Sequence, residues 1–174
     1  MTLRMFIIRT VLAPLCAVLG LAPNEAFAQS EKADPHCAPI GGTILTNLAV
    51  IDASTTLGTA TGDLKGAVAA RIVGVSSGPG GTTLLSVQHH FVTESGDTIN
   101  VAVATATVVQ VAPGLLAVVS YPVKITGGTG KFAGATGTFK NIGEVYLPNA
   151  SNFDGGETVF RYSGRVCFAS AGKS

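Results

Sequence analysis

Apolar and polar positions alternate with a period of two along most of this chain. The segments "IGGTILTNLAVID", "GTATGDLKGAVAARIVGV", "TTLLSVQHHFVTE", "DTINVAVATATVVQV", "LLAVVSYPVKIT", "ATGTFKNIGEVYL" and "GETVFRYSGRVCF" are rich in Val, Thr, Ile, Phe and Tyr. Such side chains suit a pleated, half-buried surface, and the Gly, Pro, Ser and Asp residues of "SSGPGG", "ESGD" and "APG" mark turns between them. Almost nothing carries the 3.6-residue spacing of a helix. Seven or eight strands joined by short turns predict an all-β antiparallel sandwich or barrel.

The same alternation predicts which faces are wet. In "TINVAVATATVVQV" one face holds Ile99, Val101, Val103, Val109 and Val111 with Thr105 and Thr107, and the other holds Ala102, Ala104, Ala106 and Val108. Neither face is polar, and "LLAVVSYPV" repeats the pattern, so this wall is expected to be covered inside and outside. Contact with other subunits in a homo-oligomer, or the chain's own N-terminal segment, would supply the outer cover.

The chain ends bound the setting. Arg4 and Arg9 precede the apolar run "VLAPLCAVLGLA", and Ala26-Phe27-Ala28 come after it, the layout of a secretory signal peptide over residues 1–28. A retained anchor is the alternative, against which Pro14 and Gly20 interrupt a run that is short for a bilayer. The expected mature protein begins near Gln29, is secreted or periplasmic, and has no membrane insertion once the signal is removed. Its roughly 146 residues suffice for one domain. Removing Arg4, Arg9 and Glu25 from the 11 basic and 10 acidic residues leaves 9 of each. A neutral surface argues against nucleic acid as a partner. Cys37 and Cys167 remain, and in an oxidising compartment they are expected to form a disulfide that ties the first strand to the last and favours a closed barrel.

"ITGGTGKFAGATGTF" (125–139) raises the question of a phosphate cradle. A Walker A loop requires a Gly separated by four residues from the Gly-Lys pair and Ser or Thr after the lysine, where this chain has Ile125 and Phe132. A dinucleotide fingerprint requires a helix to open next, whereas "GATGTFKNIGEVYL" is strand-like and broken by glycines. Gly127, Gly128, Gly130, Gly134 and Gly137 are therefore structural turn residues, expected to permit positive φ and close backbone passage at a barrel corner.

Through "YPVKITGGTGKFAGATGTF" the chain resembles the allene oxide cyclase and dirigent superfamily, in the manner of a bacterial-type allene oxide cyclase barrel-like domain. "GTATGDLKG" is similar to an early strand of that family, "SGDTINVAVATATV" to its middle hairpin and "GGETVFRYSGRVCF" to its closing strand. The resemblance implies an eight-stranded antiparallel β-barrel, lipocalin-like, over residues 40–169, with an N-terminal segment 29–39 and a tail 170–174. It also implies an apolar central cavity and assembly as a trimer. Members of the family close rings in hydrophobic substrates or, as dirigents, steer phenoxy radical coupling. Lys131 stands where some lignan-forming dirigents carry an aspartate.

Candidate chemistry comes from polar residues on strands. Glu144 shares a face with Ile142 and Tyr146, so it would be an acid or base if that face lined the cavity and an ordinary surface carboxylate if not. His89 alternates with Val87 and Phe91, whereas His90 runs with Gln88 and Val92. Asp63 and Arg71 are further strand candidates. The candidate catalytic set is Glu144, Tyr146, Asp63 and His89, and the candidate ligand-binding set is Phe91, Val101, Val103 and Tyr121. No metal or cofactor is expected, because adjacent strand histidines point to opposite faces. Asn149-Ala150-Ser151 has the form of a glycosylation sequon. Three functions fit: a barrel that binds a hydrophobic small molecule, with an inner face free of charge; a cofactor-independent cyclase or isomerase, with an inward carboxylate, histidine or tyrosine beside a polar partner; or a structural or interaction barrel filled by its own side chains.

Overall fold

Wherever the alternation runs unbroken, the backbone forms a strand. The structure, a computed structural model, describes residues 36–149 and 152–169; the expected signal peptide, residues 29–35, Ala150 and Ser151 of the sequon, and the tail 170–174 lie outside the described residues. The strands are β1 (Cys37–Asn47), β2 (Thr55–Ala60), β3 (Gly66–Ser77), β4 (Thr83–Thr93), β5 (Thr98–Val101), β6 (Ala104–Ala112), β7 (Leu115–Ser120), β8 (Pro122–Gly128), β9 (Thr136–Tyr146) and β10 (Glu157–Cys167). Each pairs antiparallel with its neighbours, and β10 bonds to both β9 and β1, so the sheet closes on itself. β4 pairs with both β5 and β6, and β9 with both β7 and β8, so each of these two consecutive pairs acts as one bent stave of an eight-stranded up-and-down barrel. Closure leaves no free edge to template aggregation.

The bends have local causes. The register shifts between Asn100 and Val101, and Ala102 N–H then donates to the Lys124 carbonyl at 3.0 Å. On the facing stave Pro122, which has no N–H to give a ladder, comes directly after Tyr121 at the break between β7 and β8. The inward phase changes at Ala102 and Val103, where the chain leaves the ladder between β5 and β6: Ile99 and Val101 point in, and beyond the break Ala104, Ala106 and Val108 do, leaving Val103 56 % exposed and Val111 58 %. The expected common face of Ile99 through Val111 is corrected accordingly, since a one-residue offset at the break reverses every side chain beyond it.

Along the seam, β10 runs in register with β1 from Asn47↔Glu157 to Cys37↔Cys167, and the two cysteines are joined as a disulfide. That end of the barrel is filled. Phe91 packs edge-on against Phe139, which packs edge-on against Tyr162, among Ile99, Val123, Ile125 and Val166.

Two copies of one short motif seal this end: Thr61-Gly62-Asp63-Leu64-Lys65-Gly66 and Thr129-Gly130-Lys131-Phe132-Ala133-Gly134. Each forms a three-residue 3-10 turn, Gly62–Leu64 or Gly130–Phe132, with its glycine at positive φ (72° and 54°) and its apolar residue, Leu64 or Phe132, buried. Each leading threonine is tied to a strand threonine in the same way. Thr61 N–H donates to the Thr43 carbonyl at 2.8 Å, while its Oγ1 accepts from Thr43 N–H at 3.1 Å. Thr129 repeats this with Thr98 at 3.0 and 2.8 Å. The Tyr162 hydroxyl fastens the first turn from inside, accepting from Leu64 N–H at 2.8 Å and donating to the Thr61 carbonyl at 2.7 Å.

The glycine stretch is thus a plug and corner, leading into strand β9. Gly127, Gly130, Gly134 and Gly137 have positive φ, and Gly128 does not. Gly128 is instead crowded, because a Cβ there would meet the Thr98 carbonyl oxygen and the Phe132 Cβ. Replacing either Gly128 or Gly130 by valine is expected to lower stability by about 1–3 kcal/mol in thermal or denaturant melts, one through collision and the other through a forbidden backbone region. Lys131→Ala should leave the melt almost unchanged, because that side chain is exposed with its Nζ 5.0 Å from the Phe132 ring centre.

Candidate functional site

Towards the other end the inward residues become small, and the barrel is no longer filled. Ala70, Val87, Ala106, Val108 and Val118 stand where aromatics stand in the sealed half, leaving a partly open, mainly apolar cavity of about 50 Å³. Ile44, Leu48, Ile72, Leu85 and Phe153 also line it, and among the described residues no carboxylate, ammonium or guanidinium does. Two wider depressions, around Leu57 and Glu157 and around Lys65 and Glu94, are bounded largely by half-buried and exposed residues outside the barrel. They are larger, but the enclosed chemistry is in the interior.

On the cavity wall sits a polar group built from three staves. His89 is inward on β4 because it keeps the phase of Leu85, Val87 and Phe91. Tyr121 lies at the bend between β7 and β8, and its hydroxyl is 2.7 Å from His89 Nε2. Asn141 is inward on β9, its N–H donating to the Tyr121 carbonyl at 3.0 Å. The His89 ring stacks on Phe91 at 5.8 Å, and Tyr121 meets Phe160 edge-on at 5.9 Å, so the polar cluster rests on the aromatic packing of the sealed half. Thr46 and Thr158, register partners across the seam, satisfy each other through their hydroxyls at 2.8 Å.

Three buried polar atoms on this wall have no hydrogen-bond partner among the described residues: His89 Nδ1, Asn141 Oδ1 and Thr56 Oγ1. A buried polar group without a partner costs about 1–3 kcal/mol, so three in one cavity call for an explanation. Burial, with a smaller contribution from neighbouring His90, lowers the His89 pKa to about 4, which leaves the imidazole neutral at pH 7. Burial likewise raises the Tyr121 pKa, so its hydroxyl keeps its proton.

A neutral imidazole carries one N–H. His89 is the sole partner of the Tyr121 hydroxyl among the described residues, so Tyr121 donating to Nε2 satisfies both atoms and places the ring proton on Nδ1. Among the buried atoms without a partner the cavity is then offered a donor, His89 Nδ1–H, an acceptor, Asn141 Oδ1, and the Thr56 hydroxyl, which can act as either.

The sequence candidates separate on this wall. His89 and Tyr121 line the cavity together. Phe91 and Val101 are buried in the barrel but not among the cavity residues. Val103 faces outward beyond the bend. Glu144 and Tyr146 do share a face with Ile142, but it is the outer one: Ile142 is 49 % exposed and Tyr146 47 %, while Phe139, Asn141 and Val145 take the interior. Both phases of β9 carry two large apolar residues, and the charges on Lys140 and Glu144 decide between them, since burying an unpaired charge costs far more than burying an amide. Asp63 is exposed in the first sealing turn, where its Oδ2 accepts from Gly41 N–H at 2.7 Å.

Sequence reasoning missed Asn141, Thr56 and Phe160. Asn141 carried a usable signal, because it lies in phase with Phe139 and Val145.

Comparison of the chain with protein-family models, with curated proteins and with solved structures gives no match.

Proposed function

We propose that the protein binds a hydrophobic small molecule in the open half of its barrel. The observation that carries this is the coincidence, in one apolar cavity, of three unpartnered buried polar atoms with small lining side chains. Ligand sites of this kind are mostly apolar, with a few placed polar groups that fix orientation. The cavity of about 50 Å³ accepts the leading part of a molecule, and the remainder lies towards its open side. The resemblance to the allene oxide cyclase and dirigent superfamily implies the same use of a barrel interior. Export to the periplasm or beyond is part of the proposal, and the disulfide is compatible with it.

A second reading, cyclase or isomerase chemistry, is favoured by the His89–Tyr121 pair. A neutral imidazole in a mainly apolar cavity can take or give a proton, and Tyr121 holds it in one tautomer and orientation.

Binding is tested with toluene as the probe, following the methyl resonances of Val87, Val108 and Val118. Toluene is expected to shift these methyls saturably. Ala106→Leu, which extends a side chain into the cavity, should weaken the titration by about tenfold or more, the equivalent of roughly 1.4 kcal/mol. Toluene shifts confined to the outer wall, or unaffected by Ala106→Leu, would refute binding in the barrel.

A further inference from the structure

The unpartnered atoms also restrict which polar group the ligand carries. We propose that the barrel selects an uncharged ligand bearing a hydroxyl group, an alcohol or phenol, held between His89 and Asn141, and rejects the corresponding carboxylates and amines. This rests on the binding function proposed above.

Asn141 Oδ1 accepts only, so a ligand that satisfies it must bring a donor. His89 Nδ1, with Tyr121 on the opposite nitrogen, donates, so the same ligand must also accept. A hydroxyl does both with one heavy atom. A ketone or ether offers no donor and leaves Asn141 Oδ1 unsatisfied, and a hydrocarbon leaves both His89 Nδ1 and Asn141 Oδ1 so.

Charge is excluded by the rest of the wall. The groups facing the His89 ring are Tyr121 and Phe91, and the other cavity residues are aliphatic or aromatic side chains, threonines and Asn141. The ionisable neighbour His90 is exposed on the opposite face of β4. A carboxylate or an ammonium placed here would lose its hydration and find no opposite charge. Thr56 Oγ1 adds a hydroxyl that either donates or accepts, and so serves a second polar atom of the ligand without demanding charge.

The experiment uses a matched set of cyclohexane, cyclohexanol, cyclohexanone, cyclohexanecarboxylate and cyclohexylamine at pH 7, titrated by NMR into the intact protein. Cyclohexanol is expected to bind about tenfold or more tightly than cyclohexane, the carboxylate and the amine, with cyclohexanone in between. In wild-type protein the His89 Nδ1 resonance should move with cyclohexanol and stay in place with cyclohexane, a readout that needs no variant to fold. His89→Phe and Asn141→Leu should each bring the ratio of cyclohexanol to cyclohexane affinity down towards one. Equal affinity for cyclohexanol and cyclohexane would mean that water serves the polar atoms, and would overturn the proposal. Preference for the carboxylate would overturn it as well, by making His89 a cation on binding. If none of the five binds, cyclohexane included, the binding function itself fails, a result distinct from binding without preference.

Discussion

Replacing both Cys37 and Cys167 by serine is expected to lower the stability of the barrel by about 4–5 kcal/mol, the largest effect expected of any substitution in this protein. The bond closes a loop with a sequence separation of 130, and loop-closure entropy in the unfolded chain grows with the logarithm of that length. The cysteines are register partners at the sealed end, so the change acts mostly on the unfolded state and leaves the ladder between β1 and β10 in place. Chemical denaturation of oxidised wild type and of the double-serine variant measures the difference. The variant should keep a strand-rich circular dichroism spectrum and an unchanged cavity. A loss below about 1 kcal/mol would show that the unfolded chain already keeps its ends together.

Acidification should reveal His89. Its pKa is lowered to about 4 in the folded barrel, mainly by burial, against an ordinary value of 6.5. Between these values the unfolded chain binds a proton that the folded chain does not, so stability falls as pH drops from 6.5 towards 4. The full contribution is present above pH 6.5. The slope approaches about 1.4 kcal/mol per pH unit, and the total loss by pH 4 is roughly 3 kcal/mol. Carboxylates titrate in the lower part of this window, so the measurement is the difference between wild type and His89→Gln, which keeps a polar neighbour for Tyr121. The wild type should lose stability more steeply between pH 6.5 and 5, and the two curves should run parallel above pH 7. Parallel curves throughout would place His89 in contact with water. The same protonation replaces a neutral imidazole by a buried cation, so the cyclohexanol binding expected of the proposed function should weaken in that range.

Period-two alternation, β-branched composition and turn residues determined the all-β class and an antiparallel arrangement of seven or eight strands, because these are local properties of backbone and side chain. The glycine stretch was legible as a corner for the same reason, since Ile125 and Phe132 stand where phosphate chemistry needs other residues. The pairing of Cys37 with Cys167 was legible because, with Cys16 assigned to the expected signal peptide, the two remaining cysteines allow one intramolecular pairing. The duplicated Thr-Gly-x-apolar-x-Gly plug was written in the sequence, but its meaning appears only when both copies are seen capping one end.

Where the inward phase of a strand reverses was decided by the tertiary structure. On β9 the phases of Phe139 and Ile142 are similarly apolar, and only the charges of Lys140 and Glu144 mark the outward one, which leaves Asn141 inside. On the bent stave of β5 and β6 the break at Ala102 and Val103 reversed the phase midway, sending Val103 outward, and alternation carries no mark of such a break. The meeting of His89, Tyr121 and Asn141 depends on both. These residues come from three different staves, and only the closure and stagger of the whole sheet set their heights around the barrel.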